Sequence, residues 1–155
     1  MLITRFTVVF ENMFQFLSDM AKHGLASAGY VALTDHTFKL EWMGCAWGMT
    51  GIVFFRAFGG RWRKTFLPLL LHCSPREDKP SYAQQSSALR TELLKRKLPP
   101  LVQVGCDWFP GTPAAFKTEF PNCRIAGSLW HLLEISDGIS AGVALPSCSN
   151  GPCMS

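Results

Sequence analysis

Apolar and polar positions separate most clearly in the first 22 residues. Wound at about 100° per residue, Leu2, Ile3, Phe6, Val9, Phe10, Met13, Phe14, Phe16, Leu17, Met20 and Ala21 share one half of a helical wheel. Thr4, Arg5, Thr7, Glu11, Asn12, Gln15, Ser18, Asp19 and Lys22 share the other, and Val8 alone is out of place. The spacing predicts one amphipathic helix over 2–22. Lys22 and His23 suit its carbonyl end, and Gly24 can adopt the left-handed cap. Such a face fits a membrane surface or a partner's groove. Packing on the chain's own core is the leading reading, because Arg5 and Lys22 are balanced by Glu11 and Asp19, whereas membrane-surface helices carry an excess of cations.

Two further helices are expected. One runs over 88–98, ends on the basic run Lys95-Arg96-Lys97 and is stopped by Pro99-Pro100. The other, over 124–136, starts after Asn122 as a cap and gathers Ile125, Leu129, Trp130, Leu132 and Leu133 on one side. Short strands are expected at 30–33 and 101–104. The polar stretch 74–87, SPREDKPSYAQQSS, reads as a linker or exposed loop, and 108–121, with three prolines and Gly111, as loop. Residues 146–155 read as a disordered tail.

The segment 42–67 admits two readings. Trp42 to Phe58 is interrupted only by Arg56 and contains Gly44-x-x-x-Gly48, which suits a short membrane-spanning helix ending on Arg61-Trp-Arg-Lys. Spanning requires about 20 apolar residues, more than this stretch offers. The competing reading is a hairpin in which 52–58 and 61–67 flank Gly59-Gly60. Its register sets Ala57 against Trp62, Val53 against Phe66 and Arg56 against Arg63, the last pair at a cost in stability. An anion across that face would relieve the clash. Taken together, the elements predict a helix-rich α+β small single domain over 1–145, or a partly folded chain, with a short β-hairpin or a buried or membrane segment near 42–67.

Composition changes this picture at two points. Hydrophobic residues make up 48% and charged residues only 17%, with 12 Phe and 5 Trp, and mean hydropathy is +0.13. Charged residues usually amount to about 25%, so a sticky surface, a membrane contact, an obligate partner or self-association through apolar surface is expected. The same imbalance suits a young or weakly selected reading frame with no evolved biochemical role. The net charge of +4 is also unevenly placed, because no acid occurs between Trp42 and Pro75 while Arg56, Arg61, Arg63 and Lys64 fall close together. These four are the anion-binding candidates, for phospholipid headgroups or nucleic acid.

Candidate chemistry adds little. Arg5, Glu11 and Asp19 interrupt any secretory signal in the opening residues, so the expected compartment is intracellular and reducing, with the 6 cysteines as free thiols. No Cys-x-x-Cys pair is present. Cys148 with Cys153 and His72 with Cys73 could supply ligands, but neither spacing is diagnostic of zinc. Nucleophile and phosphate-loop motifs are absent. Cys106 or Cys123 could be paired with His131, and Asp35-His36 has the elements of an oriented base. No metal or cofactor is expected. The leading expectation is a non-catalytic protein that associates with a membrane or a protein partner. A nucleic-acid-binding module using 54–66 is the alternative, and a metal protein or enzyme the third.

Overall fold

A computed structural model describes residues 5–25, 27–38, 44–107, 109 and 111–127, with backbone alone at 37, 38, 56–58 and 62. The described chain runs β1 (Phe6–Val9), α1 (Glu11–Lys22), β2 (Tyr30–Phe38), β3 (Ala46–Phe58), β4 (Arg61–Ser74), α2 (Lys79–Lys95), β5 (Leu101–Cys106), α3 (Gly111–Glu119) and β6 (Arg124–Gly127). The strands form one sheet in the order β1-β4-β3-β2-β5-β6. Pairing is antiparallel from β1 to β2 and parallel from β2 through β5 to β6. A mixed sheet of six strands with three helices replaces the helix-rich fold expected.

Each departure has a physical cause. The helical wheel over 2–22 merges two elements: β-branched Thr7, Val8 and Val9 extend as β1, and the helix starts only at Glu11. The supposed linker 74–87 hides the start of α2. Asp78 caps that helix by accepting a hydrogen bond from the Ser81 amide at 2.9 Å, and Pro80 sits in the first turn, where its missing N–H costs nothing. The helix expected at 88–98 is the second half of α2, and its first half is overlooked because the buried side there is polar, Ser81, Gln85 and Ser86 beside Tyr82. Likewise α3 occupies the proline-rich 108–121, with Pro113 tolerated in the first turn. At 124–127 the chain is strand β6, paired with β5, instead of helix. The rest of the 124–136 helix and the 146–155 tail lie outside the described residues.

The region 42–67 resolves in favour of the hairpin. Residues 46–58 are strand, and among the described residues no helix is long and apolar enough to cross a membrane. Val53 pairs with Phe66, Arg56 with Arg63 and Ala57 with Trp62 around Gly59-Gly60, both at positive φ. The hairpin is longer than the sequence suggests, running from Ala46 opposite Ser74 to the turn. Pro68 is accommodated by an irregularity between Thr50 and Gly51. On its other side β1 pairs only with Leu70 to Cys73, so the missing proline N–H removes no ladder bond there.

All three helices cover one face. Phe14 and Leu17 of α1, Leu89 and Leu93 of α2 and Phe116 of α3 join Ala32, Ile52, Leu70 and Val104 of the sheet in a single core. Arg96, just past α2, is paired with Glu11 and Glu92 and stacks over Phe14 at 4.9 Å, tying α2 to α1. At the other end Arg5 reaches Asp78 at 2.6 Å and Ser74 at 3.2 Å, joining the start of β1 to the β4–α2 corner.

Candidate functional site

The four basic candidates meet at the hairpin turn. Arg61, Arg63 and Lys64 are exposed on the first residues of β4, and Arg56 pairs across with Arg63. Strand alternation puts Arg61 and Arg63 on one face and Lys64 on the other. No carboxylate lies in either strand of the hairpin, and the like charges of Arg61, Arg63 and Lys64 gather beside one turn. That arrangement raises the local potential and favours an anion.

Lys64 leads onto the face of the sheet that no described helix covers. Cross-strand partners share a face, and the rows on this one are Val31–Val53–Phe66, Asp35–Met49–Leu71–Val8 and Trp47–Cys73–Phe6. Phe55 stands opposite Lys64. Five large apolar residues of this face are exposed, from Phe66 at 39% to Phe55 at 65%. Phe6 packs edge-on against Trp47 at 5.9 Å. Scattered exposed apolar residues are ordinary, but a contiguous patch beside cations marks an interaction surface. Sequence reading missed this face because side chains from four strands compose it, and only the register brings them together.

Beneath α2 the structure assembles a second group that the sequence shows only in pieces. His36 and His72, separated by Gly48 in the register, stand 6.2 Å apart, ring centroid to ring centroid. A Cβ at Gly48 would fall 2.2 Å from the His36 ring, so glycine is what lets the imidazole lie across β3. Tyr82 packs edge-on against His36 at 4.3 Å, and its hydroxyl donates to the Glu77 carboxylate. Thr7 Oγ1 meets His72 Nδ1 at 2.9 Å. Gln85 Nε2 donates to Thr50 Oγ1 at 2.7 Å, and Thr50 in turn donates to Thr34. Both nitrogens of His36 and Nε2 of His72 are buried without a hydrogen-bond partner among the described residues.

Burial, together with the neighbouring His72, holds the His36 imidazole down at about 4. His72 is lowered too, first by burial and then by the Arg5 charge. Glu77 is raised by burial and by Asp107 and Asp35, against the opposing Tyr82 hydrogen bond. At neutral pH both imidazoles are uncharged, and both are closed to solvent. Of the two, His36 packs against Tyr82 of α2, and His72 meets Thr7 of β1.

Cys45, Cys73, Cys106 and Cys123 are buried and form no disulfide among the described residues. Burial and the adjacent Asp107 push Cys106 up to about 11, and burial raises Cys123, which disfavours the thiolate that nucleophilic attack requires. Among the described residues no group of three or more His, Cys, Asp or Glu could hold a metal. Cys148, Cys153 and His131 lie outside the described residues. Compared with known proteins, the chain matches no family model and no curated sequence.

Proposed function

We propose that the protein is a non-catalytic module that associates with anionic membrane surfaces through its hairpin end and the face of its sheet that no described helix covers. The observation that carries this reading is the juxtaposition of Phe55 and Phe66, both exposed, with Lys64 on one face and with Arg61 and Arg63 at the adjoining turn. Aromatic residues settle at the headgroup level while cations attract anionic lipid, each worth about 1 kcal/mol near such a surface. Apolar insertion and charge attraction then act on the same end of the molecule.

Co-sedimentation with vesicles tests the reading. The protein should pellet with phosphatidylserine vesicles and remain in solution with phosphatidylcholine alone. Arg61→Glu with Arg63→Glu should abolish pelleting, and Phe55→Asp should weaken it several-fold. Unchanged pelleting of the double variant would overturn the proposal. Binding to single-stranded RNA that is lost steeply with salt, without vesicle binding, would assign the hairpin to nucleic acid instead.

A further inference from the structure

The strand β3 outruns its neighbour β2. Their pairing ends at Val31 opposite Val53, while β3 continues to Phe58 against β4 alone among the described residues. The cause lies at the start of β2. Gly29 has a φ of +103°, a Cβ there would fall 2.5 Å from the Val102 side chain, and the Tyr30 amide donates to the Pro100 carbonyl at 2.9 Å. The chain before Tyr30 therefore turns onto β5, and no described strand pairs with the β2 side of β3 from Phe54 to Phe58. Past that point the hairpin is a two-stranded ribbon, which is only marginally stable by itself. In line with β2, beside this edge, is an open apolar cavity of about 630 Å³. Its lining comes from both sides of the sheet. Phe16, Leu17 and Met20 of α1 stand with Phe54 on the side that the helices cover, whereas Val31, Val53 and Phe55 stand on the other. No charged side chain lines it among the described residues, and the Tyr30 hydroxyl donates to the Leu17 carbonyl at 3.4 Å.

We propose that this notch receives a strand from a protein partner, an extended and uncharged segment with aliphatic side chains that pairs with Phe54–Phe58 and prolongs the sheet beyond β2. In strand addition, main-chain hydrogen bonds supply affinity and pockets for alternate side chains supply selectivity. Successive side chains of a strand point to opposite faces, so a cavity walled on both sides of the sheet fits a strand. The uncharged lining selects an uncharged segment, because a charge placed there would lose its hydration without gaining a partner. A second copy of this chain fits less well. Full pairing of two such edges over 54–58 sets the two Arg56 residues opposite each other, and like charges so placed cost stability. The site shares Phe55 with the membrane reading but uses none of the cations on which that reading rests.

Fluorescence anisotropy of a capped, fluorescein-labelled peptide of alternating valine and threonine, titrated with the full chain, tests the proposal. Saturable binding is expected, with hydrogen exchange of the 54–58 amides slowed when the peptide is bound. Replacing the central valine of the peptide by alanine should weaken binding about tenfold. A fully N-methylated peptide, which has no main-chain donors, should not bind. Leu25→Asp and Phe16→Lys, both at exposed positions that line the cavity, should each weaken binding about tenfold by placing a charge in it. No saturable binding to the folded chain, equal binding of the N-methylated peptide, binding that neither variant weakens, or protection of 61–67 in place of 54–58 each overturns the proposal. Protection of 54–58 that rises with protein concentration in the absence of peptide also overturns it, and assigns the edge to a second copy. Leu25→Asp should pellet with phosphatidylserine vesicles as the unaltered chain does. If both pellet and the peptide never binds, the strand site alone fails. If the peptide binds and neither pellets, the membrane reading alone fails.

Discussion

His36 lies across β3 because position 48 has no side chain, and the ring is enclosed between Gly48, His72 and Tyr82. Enclosure without a hydrogen-bond partner disfavours the imidazolium, so the native state holds His36 neutral down to about 4. The unfolded chain takes up the proton near pH 6.5. Stability from this residue is therefore complete above about pH 6.5, and it is lost as pH falls toward 4, with a ceiling of roughly 3 kcal/mol. Arg5, Asp78, Glu77, Asp107 and Asp35 surround the cluster and shape the same profile. Urea unfolding at pH 7 and pH 4.5 should show the native chain losing much of this amount, and His36→Gln losing markedly less. Equal losses in the two proteins would mean that His36 is not the titrating group. The Asp35-His36 dipeptide is visible in the sequence, but its neighbour His72 is 36 positions away. Nothing local announces that the two imidazoles meet.

At the scale of elements, α2 is the instructive case. Its N-terminus is fixed by Asp78, which accepts from the Ser81 amide and hydroxyl and pairs with Arg5. Asp78→Ala should cost about 1 kcal/mol from the lost cap, read as a lower urea midpoint with unchanged slope. Arg5→Ala should cost less, because the ion pair is about one-third exposed and such pairs contribute little. The motif Asp-Lys-Pro-Ser was legible as a helix start. Polarity and two prolines masked it, and the buried partners of Gln85 and Ser81 lie on other elements. The hairpin is the opposite case. Gly59-Gly60 and the flanking apolar residues set its register locally, and the structure keeps that register.

At the scale of the whole molecule, the described residues form a sheet whose one side is covered by helices. The helices bury the side bearing Ala32, Ile52, Leu70 and Val104, while Phe6, Val8, Met49, Phe55 and Phe66 remain exposed on the other. A face of this kind associates when nothing competes for it. We therefore expect concentration-dependent self-association in sedimentation velocity, reduced by Phe66→Lys with Val8→Lys and insensitive to Leu94→Lys, an exposed position on α2. A monomer at all concentrations, or equal effects of the two changes, would remove this face as the cause. The basic end was legible as composition, since Arg61, Arg63 and Lys64 are close in sequence. Its apolar neighbour was not, because Phe6 and Phe66 are 60 positions apart.

Local chemistry alone determined the turn at Gly59-Gly60, the α1 periodicity from Glu11 onward, the start of β2 and the core of β5, because each depends on residues within a few positions. Long-range pairing decided the rest. β1 is a strand because β4 offers it an antiparallel edge, and Arg124 to Gly127 extend because β5 offers a parallel one. A helical period and a strand period can both be drawn through a short apolar run, and backbone hydrogen bonding to a distant partner selects between them. The polar and apolar alternation along each strand was present from the start, but which side would be covered was set only when all three helices packed on the same face.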